Sequence, residues 1–99
     1  MYKIRISFSK NGEIKYISHL DLLRLLGRAL RRAELPFAVS QGFNKHPKIV
    51  IKRALKLGLT SDNEEAEFAL KENMPADEFR QRLQQQLPEG IQIKEIKNI

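Results

Sequence analysis

Ser18, His19 and Asp21, set just ahead of an apolar run, are the first residues in the chain whose types and spacing could do chemistry. A His–Asp dyad is disfavoured, because residues two apart on a helix point in different directions. Ser18 and Asp21, three apart, instead make a capping-box pattern. The hydroxyl accepts from a free N–H at the helix start and the carboxylate reaches back toward the cap. His19 then has two readings. It is an exposed first-turn residue, or an imidazole held neutral by the positive end of the helix dipole and hydrogen-bonded to a ligand oxygen. Free N–H groups at a helix start also bind phosphate, although Asp21 competes for them. Ser18 and His19 are therefore possible ligand contacts, and no residue is assigned a catalytic role. His19 with His46 falls short of a tetrahedral metal set, so no metal site is expected.

Two other groups point to polyanions. At 100° per residue, Leu22, Leu23, Leu26, Ala29, Leu30 and Ala33 gather on one side of a helix starting at His19, and Arg24, Arg28, Arg31 and Arg32 on the other. The loop over 41–48 joins Gln41, Gly42, Phe43, Asn44, Lys45, His46 and Lys48. Gly42 permits close backbone approach, Phe43 and His46 offer flat faces to a base, and Lys45 and Lys48 meet phosphates, a mixture suited to single-stranded RNA. Phe43 has a plainer role as well, plugging the loop onto the core.

The remaining candidates are weak. Glu64, Glu65 and Glu67 read as a solvated strand edge rather than an acid–base pair, since nothing near them in sequence raises a carboxyl pKa. Neither GxGxxG, GxxxxGK[ST] nor a GxSxG elbow occurs. There is no cysteine, which excludes disulfides, thiolate nucleophiles, zinc–thiolate sites and iron–sulfur ligation by these residues. An enzyme is not favoured, and no cofactor is expected.

These side chains need a scaffold, and 99 residues suit one domain over 1–99 with a small core. Residues 2–9 alternate strictly, Tyr2, Ile4, Ile6 and Phe8 against Lys3, Arg5, Ser7 and Ser9, as in a half-buried strand. Asn11-Gly12 suits a tight turn with positive φ followed by a brief return strand over 14–17, or equally a plain loop. Glu34-Leu35-Pro36 ends the helix. Short strands are expected over 37–40 and 49–52, an irregular connection over 54–63, and a strand over 65–71 whose open side is acidic and so pairs near the basic strand. Pro75 is expected at the first position of a second helix, carrying Phe79, Leu83 and Leu87 on one face. The glutamine run at 84–86 reads as helix surface. A last strand over 91–97 alternates until the pattern slips at Ile96. Together these make an α+β domain in the ferredoxin-like split βαβ arrangement, two helices covering one face of an antiparallel sheet.

Charge is uneven along this scaffold. Residues 1–57 hold 13 Lys/Arg against 3 Asp/Glu, whereas residues 58–99 hold 5 against 9. A basic half with an overall pI near 9.8 fits a surface that meets nucleic acid, or one whose lysines and arginines only solvate a small domain. No apolar run is long enough for a membrane span and the N-terminus lacks a signal peptide's apolar core, so a cytoplasmic location is expected.

Several blocks carry a family resemblance: Phe8-Ser9-Lys10 with Gly12, Ser18-His19-Leu20-Asp21-Leu22, Arg28-Ala29-Leu30-Arg31-Arg32-Ala33, Leu35-Pro36, Ser40-Gln41-Gly42-Phe43-Asn44, His46-Pro47-Lys48-Ile49, and Leu57-Gly58-Leu59-Thr60-Ser61 with Glu65. Over residues 2–68 the chain resembles the radical-SAM-linked protein family, a bacterial domain of unknown function. The SHLD and SQGFN blocks are the most specific part of the match. Lys45 departs from the proline usual there, and the chain is shorter than the usual domain, as in a short or truncated member. The resemblance implies a partner: a radical S-adenosylmethionine enzyme, encoded beside or fused to the domain, that holds the iron–sulfur cluster. Without cysteine, this chain leaves the radical chemistry to that partner.

Three functions follow from different classes. The first is an accessory domain that binds RNA or positions a substrate for the radical enzyme, through Arg24, Arg28, Arg31 and Arg32 and the loop over 41–48. The second is a protein-docking module for that enzyme without nucleic-acid contact. The third is a metal-independent hydrolase using His19 or His46.

Overall fold

The alternating N-terminal stretch becomes the centre of the molecule. The computed structural model describes residues 2–42, 45–52 and 61–99, with side chains from 64 onward in the last of these. Strand β1 (Tyr2–Lys10) buries Ile4, Ile6 and Phe8 completely. It pairs antiparallel on one side with β3 (Ser61–Leu70) and on the other with β4 (Ile91–Asn98). A short β2 (Ile49–Ile51) lies antiparallel beyond β3, giving a four-stranded antiparallel sheet in the order β2-β3-β1-β4. Helices α1 (His19–Arg32) and α2 (Ala76–Gln84) complete an α+β fold. Leu22, Leu26 and Leu30 of α1 and Phe79 and Leu83 of α2 join one core with Ile4, Ile6, Phe8, Phe68, Leu70, Ile91 and Ile93. Both helices therefore cover the same sheet face, and Phe68 meets Phe79 with ring centroids 5.4 Å apart.

Several expectations are corrected, each for an identifiable reason. Residues 12–16 form a 3-10 turn (Gly12–Tyr16), not a return strand, because both edges of β1 are already occupied by β3 and β4. The positive φ at Gly12, 65°, is realised within that turn. Residues 37–39 make two isolated bridges, Phe37 to Leu70 and Val39 to Pro47, instead of a strand. Pro36 and Pro47 lack the N–H groups that a longer ladder needs. Residues 61–63, expected in a connection, belong to β3, while the rest of that connection lies outside the described residues. Pro75 is the N-cap of α2, one position earlier than its first helical residue.

The slip at Ile96 has a local cause. Ser7 pairs with Glu95 but Phe8 pairs with Ile93, so Lys94 is an extra residue that inverts the alternation and returns Ile96 toward the core. Gln84 is more than helix surface. Its side-chain amide donates to Ile91 O at 3.0 Å and accepts from Ile93 N at 2.8 Å, so α2 satisfies backbone groups along the outer edge of β4.

The acidic residues of β3 also depart from a solvated edge, since β3 lies between β2 and β1. Arg5 stands directly opposite Glu67, donating Nε and Nη2 to Oε2 at 3.1 and 3.0 Å, and Lys52 Nζ lies 3.2 Å from the same oxygen. The Arg5 hydrogen bonds hold the Glu67 carboxyl below the usual range, against partial burial that pushes it up, with Lys52 adding to the lowering. Glu64 shares the inward parity of Ala66 and Phe68 and is 1% exposed, with the buried Lys10 Nζ at 3.6 Å.

Candidate functional site

Helix α1 is built to hold its basic face rigidly. Ser18 accepts from the Asp21 N–H at 3.1 Å, as the capping pattern predicts. The Asp21 carboxylate turns to Arg24, with Oδ1 3.4 Å from Nη1, rather than completing the box. At the other end, Leu35 N–H donates to Leu30 O and Glu34 N–H to Arg31 O, both at 3.1 Å, with Glu34 in the left-handed region at φ 54°. This is a Schellman closure with glutamate where glycine is usual. Arg82 from α2 donates to Ala33 O at 2.6 Å and Glu34 O at 2.8 Å, which satisfies freed carbonyls and adds positive charge at the negative end of the helix.

The segment facing α1 is fixed by backbone hydrogen bonds. Ala38 N–H donates to Ala69 O at 2.9 Å and its carbonyl accepts from Lys48 N–H at 2.9 Å, while Ala69 N–H donates to Lys48 O at 3.1 Å. Ser40 clamps His46 twice, donating its N–H to His46 O at 2.8 Å and accepting the His46 N–H on its hydroxyl at 3.3 Å. Pro47 is thereby presented to α1 at Gly27, where an added Cβ would lie 3.7 Å from the proline Cγ.

Between helix and segment runs a groove of about 610 Å³. Its apolar lining comes from Leu20, Leu23, Gly27, Pro47 and Ile49, and its polar rim from Arg24, Arg28, Arg31 and His46. The structure thus brings together the two regions read separately in the sequence, the arginine face and the loop. Arg31 is further placed by Phe37, its guanidinium carbon 5.9 Å from the ring centroid. Among the described residues no carboxylate forms an ion pair with Arg28 or Arg31, and the Arg24–Asp21 pair is well exposed on both sides.

Other predicted residues fall elsewhere. Arg32 is exposed but does not line the groove; it follows Arg31 by about 100° around the helix. Gln41, Lys45 and Lys48 are exposed and do not line the groove, and Phe43 and Asn44 lie outside the described residues. Ser18 is engaged in the cap, and His19 is exposed at the first turn, away from the groove lining. Among the described residues, no three His, Cys, Asp or Glu side chains gather as a metal site.

None of the lining residues Leu20, Leu23, Gly27, Pro47 and Ile49 was singled out in the sequence as a ligand contact. A signal for three of them was present. Leu20, Leu23 and Gly27 follow one another at i, i+3 and i+7, a row on the flank between the buried leucines and the arginines. Leu23, read as core, is only partly buried for this reason.

No helix among the described residues is long and apolar enough to cross a membrane. No curated protein and no solved structure matches the chain. A family model described as an uncharacterized protein conserved in bacteria (DUF2344) matches residues 3–99, well past the Phe68 at which the sequence blocks end, and the chain belongs to that family.

Proposed function

We propose that the α1 groove binds RNA and that the domain is a non-enzymatic accessory module, holding or positioning that RNA for a radical S-adenosylmethionine enzyme. The observation that carries the RNA reading is the convergence of Arg24, Arg28, Arg31 and His46 around one apolar-lined groove. Arginines on successive turns suit phosphates, and an apolar floor suits bases freed from stacking. The partner enzyme rests on the SHLD and SQGFN blocks. Since the chain holds no cysteine, the cluster and the radical step would belong to that partner.

Affinity capture from lysate, with and without nuclease, followed by sequencing of bound RNA and identification of bound protein, tests this reading. The expected result is RNA retained by the native domain and lost when Arg24, Arg28 and Arg31 are all changed to Glu. Unchanged retention by that variant overturns the RNA reading. Capture of a radical enzyme that is insensitive to nuclease, with no RNA present, replaces it with protein docking.

A further inference from the structure

We infer that Arg31 is the arginine of the groove that recognises a base: one unpaired base stacks on the solvent side of its guanidinium, with Phe37 on the other side, while Arg24 and Arg28 hold phosphates. This rests on the RNA reading above and names the side chain that tells an unpaired base from bare backbone.

The floor of the groove is closed at its middle, because Gly27 is buried and Pro47 Cγ lies 3.7 Å from where a Gly27 Cβ would stand. A base therefore meets the groove from its rim. Among the described residues no Phe, Tyr or Trp lines it, so the flat faces it offers are the guanidinium groups of Arg24, Arg28 and Arg31 and the imidazole of His46. Guanidinium planes, like aromatic rings, are surfaces on which proteins stack unpaired bases.

The three arginines differ in what holds them. Arg24 Nη1 lies 3.4 Å from the exposed Asp21 carboxylate, and Arg28 has no side-chain hydrogen bond, ion pair or ring contact among the described residues. Arg31 is exposed and sits over a ring, its guanidinium carbon 5.9 Å from the Phe37 centroid. That ring is anchored. Phe37 packs against the core, donates its N–H to Leu35 O at 2.8 Å and bridges to Leu70. The carbonyls of Ala33 and Glu34 are satisfied by Arg82, so the helix end does not draw Arg31 away. A guanidinium held on a ring has already given up part of the freedom that stacking costs. Its N–H edge stays available to a phosphate while its face takes a base. Arg31 also stands about 40° round α1 from Gly27, nearer the apolar floor than Arg24 at about 60° or Arg28 at about 100°. A base on Arg31 therefore borders the apolar lining, and one on Arg28 would lie farther out.

Fluorescence anisotropy with two labelled probes of about ten nucleotides, a length within known single-strand site sizes, tests the inference. The probes are a mixed-sequence single-stranded RNA and the same strand made abasic throughout. The native protein should bind the base-bearing strand about 2- to 30-fold tighter, the range of one arginine–π contact. Arg31→Lys keeps the charge and removes the plane, so that ratio should fall close to one, with the loss on the base-bearing strand. Phe37→Leu should lower the ratio with every arginine in place. Arg28→Ala should weaken both strands and keep the ratio. Equal binding of the two strands by the native protein overturns the base contact and leaves RNA binding intact. A ratio that Arg31→Lys does not change overturns the assignment to Arg31. No binding of either strand overturns the RNA reading as well. Should Phe37→Leu not fold, Arg31→Lys decides, since its site is exposed and the change leaves the core untouched.

Discussion

Replacing Glu64 by Leu should be strongly destabilising. The carboxylate is 1% exposed and the Lys10 side chain 3% exposed, with Oε1 and Nζ 3.6 Å apart. At an effective dielectric of 20, two unit charges at that separation attract by about 4–5 kcal/mol. Removing one partner of a buried pair costs about 3–5 kcal/mol, because the other charge stays behind without compensation. For a domain of this size, whose total stability is about 5–15 kcal/mol, the melting temperature should fall by roughly 15–35 °C. The charge, not the lost carboxylate volume, should cause the damage, so adding Lys10→Met to Glu64→Leu should recover most of the loss. Urea titrations followed by far-ultraviolet circular dichroism and by tyrosine fluorescence give both free energies and test whether the transitions coincide. A Glu64→Leu cost below about 1 kcal/mol, the value of a solvated pair, would show that the ammonium reaches water, and a double variant as unstable as the single one would assign the loss to something other than a stranded charge.

Three smaller effects follow from the same structure. With three arginine–phosphate contacts to a single strand, the log–log salt slope should be about −2, and affinity should fall roughly 20-fold from about 50 to about 200 mM salt. Arg28→Ala should reduce the slope to about −1.4, and an unchanged slope by anisotropy would remove Arg28 from the contact. Glu34→Gly relieves a left-handed φ of 54° and keeps both backbone carbonyls that α2 and the helix end use. It should stabilise by about 0.5–1 kcal/mol and raise the melting temperature by several degrees, and a lower melting temperature contradicts the closure described. The Glu67 carboxyl is held below its usual pKa chiefly by Arg5, so its stabilising effect is complete above the unfolded value, near about 4.3, and disappears as pH falls through the lowered folded value. Glu67→Gln should therefore be less stable than the native chain near neutrality, with the gap closing in acid; a gap independent of pH would rule out this linkage.

What the sequence made legible was periodicity, and what it hid was pairing. The alternation of Ile4, Ile6 and Phe8 and the 3.6-residue spacing of Leu22, Leu26 and Leu30 identify β1 and α1 because each element alone decides which side of it is apolar. The return strand at 14–17 fails because its formation depends on whether β1 has a free edge, and β4, which begins only at Ile91, takes that edge. Glu64 looks like Glu65 and Glu67 in a line of text. Only the register that sets it opposite Phe8, inward and near Lys10, separates it from them. The same holds for the groove. Arg24, Arg28 and Arg31 could be counted from the helix period, but Pro47 becomes their neighbour only through the hydrogen bonds of residues 38–48 with Ala69 and with one another.

A four-stranded sheet with both helices on one side leaves its other face open, and that face would ordinarily be the first place to seek a ligand. Here its central charges are already engaged. Arg5 and Lys52 share Glu67, and Glu65, Glu95 and Lys97 surround a small depression that mixes both signs. Phe8 and Phe68 are in the core, and Tyr2 shares their parity, so no described aromatic of β1 or β3 faces outward to stack a base. A strand of phosphates meeting that face would have to break cross-strand ion pairs and would find acidic side chains among the cations. The arginines of the α1 groove carry no such obligation, since Arg28 and Arg31 have no carboxylate partner among the described residues and Arg24 has only an exposed one. An anion approaching there replaces water instead of a protein carboxylate, which makes the helical side, rather than the sheet, the lower-cost surface for a polyanion.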